Sequence, residues 1–332
     1  MKRLFSLLPV RKKNALTGAA RGVRNRAIVE SLEQRIAPAN FTVTSIADSG
    51  VGSLRQAILD ANGAAGSDTI VFNIPGAGPH VFQPTSSLPT ISTTMLIDGY
   101  TEPGSSTNTL AVGDNAVLNI VLDGSLASSA NGLVLSGSGS TVRGLAIHGF
   151  LDPSGTADSG YGLLVIGSNN TITGNFIGTD HNGTTDLGNR RDGIQLRGAN
   201  TGNTIGGTAP DARNVILGNG EDGIEMAQTD NSANSVLGNY IGTDRTGTLD
   251  RGNTGVGLRT RDFEDATIRE NLISGNDAGG IVLGGGSSII TGNRIGLTAS
   301  GTAPGIPNTG AGIAVNGGGG HTIGDKIGRA HV

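Results

Sequence analysis

Cysteine and tryptophan are absent from the 332 residues, and aromatic side chains make up only 3%. Without cysteine there is no disulfide framework, no thiolate metal site and no cysteine nucleophile, so the redox compartment stays open. Charged residues reach 15% where about 25% is usual, which leaves a sparsely ionised surface. Long apolar runs are missing too. The only one near the start, residues 4–10, falls far short of the ~20 residues a bilayer span needs and reads at most as a weak targeting segment. The five histidines (His80, His148, His181, His321, His331) fit no Ser/His/Asp or HExxH-like arrangement, so each is read as structural or exposed. Gly284-Gly285-Gly286 and residues 317–320 lack both the Lys-Ser/Thr of a phosphate loop and the spaced aspartates of a calcium-binding nonapeptide, and read as corners.

The formal charge of −4 conceals an asymmetry. Lys2, Arg3, Arg11, Lys12, Lys13, Arg21, Arg24 and Arg26 precede any acid, and the remainder carries 15 basic against 27 acidic side chains, a net −12. Such a body repels a phosphate backbone, so the expectation is no nucleic-acid partner. Residues 1–40 read as a basic, detachable export leader, or else as a plain disordered tail.

What the chain has in excess is glycine, 57 residues, more than twice the usual ~7%, and this excludes long helical architectures. From about residue 110 it also repeats. Gly-Leu/Ile-x-x segments have their second residues at Leu133, Leu163, Ile194, Ile224, Leu258, Ile281 and Ile313, with increments of 30, 31, 30, 34, 23 and 32. A period in this range marks stacked units, each too small to bury its own apolar face.

Asparagines keep step with that anchor. Asn189, Asn219, Asn253, Asn276 and Asn308 lie five residues before it, and Asn175, Asn239, Asn271 and Asn293 follow it by 12 to 15. Asparagine tolerates the backbone of a sharp corner, and strands stacked ~4.8 Å apart let each amide bond to the next. These are expected to be corner ladders rather than catalytic groups. Short β-branched strands, Gly/Asn corners and a variable repeat length predict an all-β fold, a parallel β-helix solenoid over 110–326. Two repeats carry near-identical insertions, Ile177-Gly178-Thr179-Asp180 and Ile241-Gly242-Thr243-Asp244. Thr298 holds the equivalent place in a third, so Asp180 and Asp244 read as Asx-turn residues.

Before the array, residues 41–109 read as an α/β cap with one short helix. Ser53-Leu54-Arg55-Gln56 has capping-box spacing, and Leu54, Ala57, Ile58 and Ala61 share a helix face. Asp68-Thr69-Ile70-Val71-Phe72 and Thr94-Met95-Leu96-Ile97 are expected strands.

Residues 40–325 resemble the right-handed parallel β-helix repeat proteins of bacterial envelopes. Ala47-Asp48-Ser49-Gly50-Val51-Gly52-Ser53-Leu54-Arg55-Gln56-Ala57-Ile58 is similar to the SLREAI cap module that precedes such arrays, although no cysteine stands before Ser53. Ser31-Leu32-Glu33-Gln34-Arg35-Ile36-Ala37-Pro38-Ala39 resembles the LEDRLAPA leader of exported planctomycete-type proteins. The resemblance implies export and an extracellular or cell-surface place. It implies no particular reaction, because such proteins include polysaccharide lyases and hydrolases as well as adhesins. Ile327-Gly328-Arg329-Ala330-His331-Val332 reads like a translated sequencing adapter, so 327–332 is expected to be foreign and the array to belong to a longer chain.

Chemistry on a β-helix belongs to outward columns of side chains. The residue after the anchor should point outward, giving Val134, Leu164, Gln195, Glu225, Arg259, Val282 and Ala314; the next column is Ser136, Ile166, Arg197, Ala227, Arg261, Gly284 and Asn316. Only the middle coils are charged, and Asp192 and Asp222 sit there one coil apart beside Arg191 and Glu221. One reading is a shallow polysaccharide groove in which Gln195, Arg197, Glu225, Arg259 and Arg261 bind, while Asp192 and Asp222, with Glu225, hold Ca²⁺ or serve as a carboxylate pair and Arg259 or Arg261 binds a uronate or abstracts a proton. The other is a solvated ion-pair ladder of Glu225 with Arg259. The expectation favours a non-enzymatic, cofactor-free, glycan-contacting scaffold, with a polysaccharide lyase or glycoside hydrolase as the alternative.

Overall fold

The computed structural model describes residues 38–153, 155, 158–227, 233–261, 265–301 and 304–324. The chain divides into two units, Met1–Arg35 and Ile36–Val332. The first unit, the leader phrase up to Ala37 and the 327–332 tail lie outside the described residues.

The described chain winds through three sheets, and every strand pairing within them is parallel. Ten strands from Asn40–Val43 to Thr322–Gly324 form the first sheet, eight from His80–Phe82 to Arg294–Ile295 the second, and seven from Leu133–Leu135 to Ile313–Val315 the third. The third sheet consists of the anchor segments. Leu133, Leu163, Ile194, Ile224, Leu258, Ile281 and Ile313 pair in unbroken register along it. Alternation of a strand's side chains sends these aliphatics inward, where all but Ile313 are essentially inaccessible and merge into one core. The array is therefore an all-β parallel β-helix.

The segment read as a cap joins the same sheets: Asp68–Phe72 and Met95–Asp98 are rungs of the first and His80–Phe82 begins the second. Its helix, Leu54–Gly63, starts where the Ser53 hydroxyl accepts the N–H of Gln56, and it buries Leu54, Ala57, Ile58 and Ala61. That satisfies one of the free N–H groups of a helix start.

Corners are held by amide ladders. At the second-to-third corner the Nδ2 of Asn189, Asn219, Asn253 and Asn276 each donates to the Oδ1 of the next asparagine at 2.8–3.0 Å, ending on Asn308. At the first-to-second corner Asn175, Asn214, Asn239 and Asn271 do likewise at 2.9–3.2 Å, ending on Asn293. A third ladder, of mixed chemistry, runs where the third sheet turns into the first: Ser140, Asn170 and Asn203 each give a backbone N–H, at 2.8 Å, to the side chain of Asn170, Asn203 and Asn234 respectively. The anchor glycine follows from the same stacking. A Cβ on Gly193 would sit 2.7–2.8 Å from Ile216, Asn219 and the Gly223 carbonyl, so no side chain fits.

The outer face of the second sheet is also apolar, with Val121, Ala146, Phe176, Val215, Tyr240 and Leu272 in register. A strap covers part of it. Residues 107–117 leave an early coil through a bridge between Ser106 and Val117, and Arg213 donates to the carbonyls of Leu110, Ala111 and Gly113 from some hundred residues away. Arg245 holds the strap's far end through the carbonyls of Asp114 and Ala116.

Candidate functional site

The charged patch sits on the outer side of the third sheet, where Ile194–Arg197, Ile224–Ala227 and Val256–Thr260 lie side by side. Just before the anchor glycines runs a column of Asn131, Tyr161, Asp192, Asp222 and Val256. Its side chains cap the next coil. Tyr161 N–H donates to Asn131 Oδ1 at 3.0 Å, Asp222 N–H to Asp192 Oδ1 at 2.8 Å and Val256 N–H to Asp222 Oδ1 at 2.8 Å. One oxygen of each aspartate is thus committed to the backbone.

The other oxygens differ. Asp222 Oδ2 accepts from Arg259 Nε at 2.5 Å, and Arg259 Nη2 reaches Asp222 Oδ1 at 3.2 Å. Glu225 Oε1 accepts from Arg261 Nε and lies 3.9 Å from Arg259. Asp192 Oδ2 is buried and has no hydrogen-bond partner. Asp192, Asp222 and Glu225 are only 1%, 5% and 8% exposed, and each offers an oxygen within 4.8 Å of the others'. Burial, with the Glu225 and Asp222 charges added to it, pushes the Asp192 carboxyl well above the usual 3.8. The Arg259 guanidinium is held more firmly protonated, chiefly by its bond to Asp222.

Two sequence expectations are refined here. The expected Glu225–Arg259 pair is present in register at 3.9 Å, but Glu225 is buried rather than on a solvated face, and the closer contacts are others: Arg259 clamps Asp222, and Arg261 clamps Glu225. The reason is that Asp222 precedes the strand on the same side, within reach of the next rung's guanidinium. Nor is the first outward column an open face in the middle coils, because Leu164 and Gln195 are as buried as Glu225 and Gln195 Nε2 turns back onto the Leu196 carbonyl. The expected binding residues separate accordingly. Arg261 and Arg197 are the accessible ones, Arg197 bonding to Asp158, whereas Gln195 is not free to meet a ligand.

Asp192, Asp222, Glu225, Arg259 and Arg261 share a cavity of about 270 Å³ with Glu221 and Thr254. Sequence reasoning missed Tyr161, whose hydroxyl is kept protonated by burial and by the Asp192 charge; its place two residues before Leu163 was the available signal. It also missed a second cavity of about 460 Å³, lined by Arg213, Tyr240, Arg269 and Arg294. Arg213 stacks 4.4 Å over Tyr240 there and is spent on the strap. Asp180 and Asp244 are loop residues as expected, Asp180 Oδ1 accepting the N–H of Thr184 and Thr185, and Asp244 Oδ1 those of Thr248 and Leu249.

Three parallel sheets, amide corners and a charged patch confined to one outer face define a parallel β-helix repeat protein. More than half the sequence, residues 106–295, matches the family model described as right handed beta helix region, and the chain belongs to that family. Among solved structures it is similar to the Azotobacter vinelandii mannuronan C-5 epimerase AlgE6 A-module, at 12% identity and a TM-score of 0.27 over 86% of this chain and 100% of that one. No curated protein sequence matches it. Among the described residues no helix is long and apolar enough to cross a membrane.

Proposed function

We propose that this chain is a non-enzymatic, exported β-helical scaffold of the cell surface that contacts an acidic or neutral glycan through Arg197, Arg261 and the rim of the third-sheet cavity. The observation that carries the reading is the commitment of the charged groups to structural partners. Asp192 and Asp222 each cap a backbone N–H, and Arg259 and Arg261 each hold a buried carboxylate.

Catalysis would ask other things of these groups. Glycoside hydrolysis needs two carboxyls flanking a bond, about 5–5.5 Å apart with retention or about 6.5–9.5 Å with inversion. Here Asp222 and Glu225 are each tied to a guanidinium, and Asp192 and Asp222 each spend an oxygen on a backbone N–H, so the cluster offers no carboxyl pair free to flank a bond. A lyase needs an unprotonated base, and Arg259, bonded to Asp222, is held protonated. The opposing observation is Asp192, whose raised pKa suits a general acid and supports the alternative of a polysaccharide lyase or hydrolase.

A panel of polysaccharides assayed for both binding and new reducing or unsaturated ends separates the two. The expected result is binding without product, weakened in Arg261→Ala and Arg197→Ala. Product formation that disappears in Asp222→Ala would overturn the scaffold reading.

A further inference from the structure

We infer that Asp192, Asp222 and Glu225 form a weak site for a calcium-sized divalent cation, a property independent of any glycan. The three carboxylates come from two adjacent coils, are all buried, and bring oxygens within 4.8 Å of one another. Two guanidiniums answer two of the three charges, Arg259 on Asp222 and Arg261 on Glu225. The third charge is unanswered. Asp192 Oδ2 is buried without a hydrogen bond.

An ionised oxygen buried without a partner is unstable, so the group must take up a proton or a cation. A proton answers Asp192 alone, whereas a cation engages oxygens of Asp192, Asp222 and Glu225 together and relieves the mutual repulsion that burial amplifies. The cavity of about 270 Å³ leaves room for water ligands. Oxygen is the only donor type in the cluster, which selects a hard ion over zinc or copper. Carboxylates already fixed by backbone and arginine bonds will not rearrange to the octahedron of ~2.0–2.1 Å that Mg²⁺ demands, while Ca²⁺ accepts irregular shells at ~2.3–2.6 Å. Two neighbouring arginines leave the site one net negative charge, placing the affinity in the weak range of extracellular modules, Kd on the order of 10⁻⁴–10⁻³ M.

Tyr161, the residue one coil before Asp192 in the same column, supplies an optical probe in a protein without tryptophan. Tb³⁺ added to the full chain, with excitation through tyrosine, should give saturable luminescence that Ca²⁺ displaces, and Ca²⁺ alone should raise the melting midpoint. Tyr161→Phe should lose the luminescence and keep the Ca²⁺-dependent midpoint shift. Asp192→Asn preserves the Oδ1 acceptor for Asp222 N–H and should weaken binding at least tenfold, as should Glu225→Gln. No saturable Tb³⁺ signal and no Ca²⁺ shift, or signals that both variants leave unchanged, would overturn the site; either result leaves glycan binding to be judged separately.

Discussion

At the scale of single residues, the same geometric role is filled by different chemistry, and the difference has consequences. A corner amide both accepts from one coil and donates to another, so Asn239 takes the N–H of Asn214 and gives its own Nδ2 protons to Ile205, Leu237 and Asn271. Asn239→Ala orphans groups on two coils at about 1–3 kcal/mol for each buried group left unpaired. Denaturant unfolding should therefore show a far larger loss than for Asn182→Ala, which sits exposed on an insertion. An aspartate in a capping column can accept but not donate, and Asp192 carries a charge the fold disfavours. Its carboxyl is raised in the folded state, so the unfolded chain loses the proton first as pH climbs past about 3.8. Stability is accordingly lost across the window from that value to the raised native one. Thermal unfolding in a chelator should show Asp192→Asn matching the parent below pH 3.8 and exceeding it increasingly above. Much of this residue-level pattern was legible. Asn189, Asn219, Asn253, Asn276 and Asn308 keep a constant offset from the anchor because no insertion intervenes. Asn214 escaped because Pro210–Ala212 adds a 3₁₀ turn before it, and the third ladder escaped because serine substitutes for asparagine in it.

At the scale of elements, the second sheet shows what periodicity cannot reveal. Alternation predicts that a strand's outward positions are polar when one face meets water, yet Phe176, Val215, Tyr240 and Leu272 are apolar because strap and insertions lie over them. Nothing local in residues 107–117 announces that role, since its partners are about a hundred positions away. The closer Arg259–Asp222 bond escaped for a related reason: register sets Glu225 opposite Arg259, but a long guanidinium also reaches the carboxylate three residues earlier. The strap's grip is testable. Arg213 is buried and gives charged hydrogen bonds to three strap carbonyls, each worth about 1.5–3 kcal/mol net of competition from water. Arg213→Ala should raise amide hydrogen exchange throughout 108–116 and leave exchange in the third sheet unchanged; protection retained in 108–116 would mean that the apolar face alone holds the strap.

At the scale of the whole molecule, a solenoid gains stability from nearest-neighbour interfaces, so the cost of a cavity depends on where along the axis it is placed. Ile224 stacks between Ile194 and Leu258, and all three are fully buried. Truncating Ile224 to alanine removes apolar contacts to both neighbouring coils, at about 2–5 kcal/mol for a fully buried site. Ile313 has a described partner only on one side, Ile281, and is partly accessible. The same truncation there removes one interface instead of two and lies outside the continuous core. Hydrogen exchange measured coil by coil should thus respond differently: Ile224→Ala lowers protection in the coils on both sides of it, while Ile313→Ala lowers it only near residues 279–283 and 313–315. If both variants lowered protection uniformly from the helix Leu54–Gly63 to the last rung, the array would unfold as one cooperative block, and the long-range strap, which ties coils around residues 106–117 to those around 213 and 245, would be the physical reason.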